Sequence, residues 1–256
     1  MADTRTVALC GKGGVGKTSI SALMIKLLAE NQRGLKVLAV DADPAAGLSA
    51  ALGVTVNKTV DDIRKQLISR IAAGESRNNE ETIRLIDYEV FDAVVEQDGF
   101  SLLAIGRPED EGCFCKVNSL LKDIINDLAG NLDIVLIDGE AGVEQINRRV
   151  MKTVDNLVLV SDTSAKGITV ANTLAHVARD NKAVGYQDMG LILNRIKDRA
   201  EVDDIAARTE LALYGWICED ELIRAYDFQG KPFTLFPDTS ATLDVISQIM
   251  RRMGFY

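Results

Sequence analysis

One stretch limits this chain more than any other: Cys10-Gly11-Lys12-Gly13-Gly14-Val15-Gly16-Lys17-Thr18-Ser19. From Gly11 to Thr18 it reads G-x-x-x-x-G-K-T. An apolar run, Thr6 to Cys10, leads into it, and a helical pattern, Ser19 to Glu30, leads out. Strand, glycine-rich turn and helix in that order make a phosphate-binding P-loop. The glycines let the backbone wrap closely around phosphates, so that successive N–H groups point inward, and the helix N-terminus adds partial positive charge at the same place. Lys17 is expected to reach the β- and γ-phosphates of a nucleotide, and the Thr18 hydroxyl to bind Mg²⁺. The expected fold is a single α/β P-loop domain spanning 1–256, with a mostly parallel sheet and helices on both faces.

The rest of the chain is consistent with that expectation. Its 256 residues, 47% hydrophobic, suffice for one large core. Buried-strand patterns recur at Lys36–Val40, Phe100–Ile105, Asp133–Asp138, Leu157–Ser161, Met189–Leu193 and Leu213–Cys218. Residues 57–100 carry no recognisable chemistry and read as an insert on the main domain. Within them Val60–Ala73 is helical, 74–81 is an exposed polar loop, and 82–95 is ambiguous between periods. A net charge of −9 argues against a general nucleic-acid binder. No signal peptide and no membrane-length apolar run is visible, so a cytoplasmic location is expected.

Two further segments carry chemistry. Asp138 closes an apolar strand and Gly142 follows at D-x-x-x-G spacing, as a Walker B and switch II segment requires. The aspartate would hold Mg²⁺ through water, and the glycine would let the backbone pivot toward the γ-phosphate. Asp41-Ala42-Asp43-Pro44 likewise puts carboxylates at a strand's carboxyl end, although Asp43 also suits a helix cap for Ala45–Leu52. Among the four cysteines, Cys10, Cys113, Cys115 and Cys218, one close pair stands out. Cys113 and Cys115 supply two thiolates to a metal that wants four, a set that two subunits would complete on a twofold axis. A helical pattern starts near Asn118. His176, the chain's single histidine, has no partner in sequence and reads as a surface residue. The terminal stripe Ile246, Ile249, Met250 and Met253 reads as core.

The doubled lysine of K-G-G-x-G-K-T resembles the deviant Walker A loop of the MinD, ParA, ArsA and nitrogenase iron-protein ATPases. That resemblance implies several roles. Lys12 crosses a homodimer interface to the partner's nucleotide. Gly11 to Ser19 bind ATP. Asp43 is the switch I aspartate, contacting Mg²⁺ through water and helping to position the attacking water. Asn194, at a strand end, hydrogen-bonds the adenine. Lys12, Lys17 and Asp43 would be the catalytic set, with Thr18, Asp43 and Asp138 around Mg²⁺. Cys218 departs from the family, which usually has proline near that position.

Gly112-Cys113-Phe114-Cys115-Lys116-Val117-Asn118-Ser119 and the segment Asp138 to Gln145 resemble the CooC-type ATPases. This implies a metallochaperone that binds nickel, or zinc, at a dimer-shared C-x-C site. It would assist insertion into a nickel enzyme of the carbon monoxide dehydrogenase or acetyl-CoA synthase type. Glu140 is a departure, standing where a small or apolar residue is expected. The alternatives are an iron–sulfur reductase like the nitrogenase iron protein, whose switch II cysteine is missing from Val143–Arg149, and a MinD/ParA-like nucleotide switch. Neither nucleic acid nor membrane is expected as a partner.

Overall fold

The computed structural model describes residues 4–31, 34–73, 79–107, 115–139, 142–143, 146, 150–180 and 184–255. Strand β1 (Arg5–Cys10) runs into the glycine loop and α1 (Lys17–Asn31). Then come β2 (Val37–Asp41), α2 (Gly47–Leu52), α3 (Val60–Ala72), α4 (Asn79–Asp92), β3 (Val95–Gln97), β4 (Phe100–Ala104), α5 (Cys115–Ala129) and β5 (Ile134–Asp138). The remainder is β6 (Thr153–Ser161), α6 (Ala165–Asp180), β7 (Gly185–Ile196), α7 (Arg199–Ala206), β8 (Ala212–Cys218), α8 (Glu221–Gln229), a short 3₁₀ turn at Phe233–Leu235 and α9 (Ala241–Arg252).

The strands form one sheet in the order β3-β4-β2-β5-β1-β6-β7-β8, parallel except for the β3–β4 pair. β2 and β5 are buried at every residue, as Val-Leu-Ala-Val and Ile-Val-Leu-Ile runs must be when helices cover both faces. β1 lies in the middle, where neighbouring crossovers leave in opposite directions. In open α/β sheets that is where ligands bind, outside the carboxyl ends of the strands.

Each face has its own core. α1, α2, the 3₁₀ turn and α9 bury Leu23, Leu28, Phe233, Phe236, Ile246, Ile249, Met250 and Met253 on one side. The terminal stripe is thus core, as its spacing predicts. α3, α4, α5, α6 and α7 bury Ile63, Ile86, Val90, Ile125, Leu174 and Val202 on the other. The start of α3 is fixed by a reciprocal capping box, Thr59 with Asp62. Among the described residues no helix is long and apolar enough to cross a membrane.

The structure corrects several boundaries. The ambiguous stretch after residue 81 is helix α4, which begins at Asn79 inside the expected loop. Polar residues suit a helix's first turn as well as a loop, and composition does not separate the two. α5 begins at Cys115, three residues before the expected start near Asn118. α2 begins at Gly47 rather than Ala45, after a left-handed Ala46. α7, α8 and the antiparallel β3 were not expected; the caps Asp198 and Asp220 start the two helices.

Candidate nucleotide site

β1 delivers the loop between β5 and β6. Gly11 passes so close to β6 that a Cβ there would lie 2.1 Å from the Val160 carbonyl oxygen, so no other residue fits. Gly14 and Gly16 take φ of 81° and 92°, in the left-handed region that favours glycine. Lys17 opens α1, 7% exposed, and its Nζ donates to the carbonyls of Gly11 at 3.0 Å and Lys12 at 3.4 Å. The ammonium therefore lies folded over the loop. Lys12 is more open and pairs with Asp162 just after β6, Nζ to Oδ2 3.6 Å. Ser164 holds the other oxygen of that carboxylate through its N–H and hydroxyl. Burial would raise the Asp162 carboxyl, but the Ser164 hydrogen bonds and the Lys12 charge outweigh it and hold it below the usual value.

Asp41 and Asp138 stand side by side at the carboxyl ends of β2 and β5, paired in register. Asp138 accepts from Ser21 Oγ at 2.9 Å and from the Thr18 side chain. Asp41 accepts from the N–H and hydroxyl of Ser49 in α2. Asp41 Oδ1 and Asp138 Oδ2 are buried with no hydrogen-bond partner. Burial pushes Asp138 up to about 6 against the Thr18 and Ser21 hydrogen bonds, and the Asp41 charge adds to the rise. Burial likewise raises Asp41, against the bonds from Ser49. Unpartnered buried carboxylate oxygens beside a threonine hydroxyl are oxygen donors of the kind a hard divalent cation takes. The residues present therefore fit Mg²⁺.

Asp43 lies two residues beyond, partly exposed, and its Oδ1 accepts the Ala45 N–H at 2.9 Å. It braces the turn before α2 but does not occupy that helix's N-cap, which is Ala46. Its other oxygen has no hydrogen bond among those of the described residues. Gly47, at the start of α2, would place a Cβ 3.5 Å from Thr18 Cγ2, so the turn after Asp43 abuts the P-loop threonine. Gly142 is described, with open space where a Cβ would stand and no left-handed φ. The backbone freedom expected of it is not used in this conformation. Asn194, at the end of β7, is buried and donates its Nδ2 to the Val15 carbonyl at 2.8 Å, while its Oδ1 accepts the Arg195 N–H.

Cys113 and Glu140 lie outside the described residues, and Cys115 is described in its backbone alone, as the first residue of α5. Among the described residues no group of three or more His, Cys, Asp or Glu side chains could hold a metal ion. Cys10 is buried beneath the P-loop, and burial pushes its thiol up to about 12, so it is an inert core residue. Cys218 is exposed at the end of β8. His176 is exposed on α6, as expected, beside a cavity of about 160 Å³ that Arg179 and Arg208 also line.

Sequence reading passed over Asp162, Ser21 and Ser49, and gave Asp41 no separate role. Position at a strand's carboxyl end was the available signal for Asp41 and Asp162. Ser21 carries none, because its partner Asp138 is distant in sequence, and Ser49, eight residues after its partner Asp41, lies in no motif that marks it.

Comparison with known proteins gives the family and the fold. The model of the CobQ/CobB/MinD/ParA nucleotide binding domain matches residues 6–233. An uncharacterized ATP-binding protein of Methanocaldococcus jannaschii is 34% identical over 249 residues, covering 96% of this chain and 97% of its own. The carbon monoxide dehydrogenase accessory protein CooC of Rhodospirillum rubrum is 30% identical over 234 residues, covering 88% of this chain and 87% of its own. Among solved structures, the septum site-determining protein MinD of Pyrococcus horikoshii, complexed with Mg-ADP, superposes with a TM-score of 0.69 at 24% identity, over 98% of this chain and 96% of that one.

Proposed function

The chain belongs to the CobQ/CobB/MinD/ParA nucleotide-binding family, and on that premise we propose that it is a dimerising ATPase that handles nickel for a client metalloenzyme. The observation that carries the ATPase half is the facing of the P-loop and two buried carboxylates with unpartnered oxygens. Lys17 leaves the loop carbonyls to bind the β- and γ-phosphates. Thr18 and Asp138, with Asp41 beside them, would hold Mg²⁺, which would supply positive charge against the phosphates. Asp43 orients a water and takes its proton. The water oxygen bonds to the γ-phosphorus as the bond to the β,γ-bridging oxygen breaks, leaving ADP and phosphate. Lys12 exchanges Asp162 for the γ-phosphate side of a second subunit's ATP. ATP thereby favours the closed dimer and hydrolysis reopens it.

The nickel half is supported by the relative CooC at 30% identity and by the C-x-C of Cys113 and Cys115 in this sequence. Two subunits would contribute four thiolates to one ion, the cargo passed to a client of the carbon monoxide dehydrogenase or acetyl-CoA synthase type. Zinc suits the same ligands. The test is metal content per dimer with and without ATP, on wild type, Cys113→Ser and Cys115→Ser. One nickel per dimer, lost in either variant while ATP turnover is kept, is the expected result. One metal per monomer, or tight binding retained by the double variant, rejects the shared site. Iron with visible charge-transfer absorbance would instead favour an iron–sulfur reductase.

A nucleotide switch of the MinD kind is the second reading. It is favoured by the fold shared with MinD, and it predicts an ATP-dependent dimer that holds no metal.

A further inference from the structure

We infer that Ser49 is a positioning residue for hydrolysis: by binding Asp41 from eight residues further on, it clasps the loop that carries Asp43 and so sets where that carboxylate stands. Helix α2 opens on Ala46, which offers no side-chain cap and takes φ 52°, a left-handed conformation unusual for a residue with a Cβ. The cap comes from elsewhere. Asp41, at the end of β2, accepts both the N–H and the hydroxyl of Ser49, the third residue of the helix, on its Oδ2. A carboxylate at that N–H does what an N-cap side chain does, and its charge suits the positive end of the helix. Asp41 is fully buried and Ser49 is 5% exposed, so these bonds are shielded from water.

Asp43 lies inside the loop that these bonds close, and so does the left-handed Ala46. Asp43 accepts the Ala45 N–H on its Oδ1 and the Ala46 N–H on its carbonyl, both at 2.9 Å. The turn is therefore built on Asp43 itself, and Ser49 fixes where it ends. Leu48 and Leu52 bury α2 in the core, but apolar burial is non-directional and does not set the helix's place along the sheet. Hydrogen bonds to a carboxylate are directional and do. A left-handed alanine persists only where its surroundings hold it, and Ser49 supplies that hold. Slack here would shift Asp43 relative to Thr18, against which Gly47 of the same loop abuts.

The inference rests on the ATPase reading, and one of its readouts needs no nucleotide. Wild type, Ser49→Ala and the double variant Ser49→Ala/Ala46→Gly are compared. Alanine at 49 keeps the N–H bond to Asp41 and loses the hydroxyl, a hydrogen bond to a charged group. In the ligand-free chain the amides of residues 45, 46 and 49 should then lose about tenfold in hydrogen-exchange protection. With Mg²⁺ and ATP, kcat should fall about tenfold while KM for ATP stays within about twofold, because Ser49 acts through Asp43 and not on the bound phosphates. Glycine at 46 adopts the left-handed φ without strain and should restore most of the protection and most of kcat. Loop protection in Ser49→Ala equal to wild type would overturn the inference. So would a rise in KM in step with the fall in kcat, or a double variant no better than the single one. Those three outcomes leave the ATPase reading standing, whereas a wild-type chain that turns over no ATP would overturn that reading and the positioning role with it.

Discussion

The two banks of the crevice are built on opposite terms. On the β1–β6–β7 side the polar groups of the loop have partners within the subunit: Lys17 lies on loop carbonyls, Lys12 on Asp162, and Asn194 braces Val15. On the β2–β5 side two buried carboxylates face the same space with an unpartnered oxygen each. The first bank is complete without ligand and must break contacts to bind. The second is strained by like charge and burial and gains contacts on binding. A divalent cation held by the second bank would therefore relieve an existing electrostatic penalty, and that gain would offset the loss of the lysine contacts.

The largest test removes the first bank's principal cation. Lys17→Ala should lower ATP turnover by roughly 10²–10³-fold or more and weaken ATP binding, since among the described residues no other ammonium lies over the loop carbonyls. Turnover near wild type would end the P-loop assignment. On the second bank, Asp43→Asn keeps an oxygen for the Ala45 N–H and so keeps the turn. Turnover should fall about 10²-fold with ATP still bound, trapping the closed dimer in single-turnover assays. A fall in Tm with turnover intact would leave Asp43 a structural brace alone.

The strain of the carboxylate pair has a pH signature. Asp138 titrates at about 6 in the fold against 3.8 unfolded, and Asp41 is raised in the same direction. Between these values the folded state binds more protons, so the charged form's penalty is relieved as pH falls. In EDTA without nucleotide, unfolding free energy should rise by about 1–3 kcal/mol from pH 7 to pH 4.5. Asp62 and Asp162, whose carboxyls are lowered, lose their contribution only below that window. Chemical denaturation across the range checks the sign, and a flat or falling profile would remove the strain.

The smaller effects sit on the first bank. Lys12→Gln should leave nucleotide bound but raise the protein concentration needed for the ATP-dependent dimer by about tenfold, read by light scattering. Asp162→Asn frees Lys12 from a partly exposed pair worth at most about 1 kcal/mol, and should ease that same dimerisation by about two- to fivefold. Opposite signs in these two variants would establish that Lys12 leaves one partner for another. The same sign would make Asp162 a plain part of the loop.

The two banks also differ in how far they could be read from sequence. The glycine loop, Lys17 and Thr18 occupy one window in which residue type, spacing and strand–helix context agree, and the fold follows from it. Asp138 is legible because an apolar strand ends on it. Asp162, Ser21 and the Asn194–Val15 bond are not, because each depends on which strands become neighbours, and sheet order is set by packing that no local window contains. The boundaries of α4 and α5 failed for a different reason. Polar residues at a helix start resemble a loop until the buried face, Ile86 and Val90 in α4, is known to meet a partner.

The place of β1 in the sheet has a consequence for the order in which the molecule assembles. β1 emerges from synthesis before the other strands of its sheet, yet its neighbours are β5, from Ile134, and β6, from Thr153. Arg5, on the same strand, bonds the carbonyls of Met253 and Gly254. The loop that embraces phosphate therefore has no walls until more than half the chain exists, and its strand has no lower anchor until nearly all of it does. Such long-range pairing makes for slow folding and an exposed apolar strand in the interval. A ligand that grips the finished loop binds only the product of that search and draws the slow equilibrium toward it.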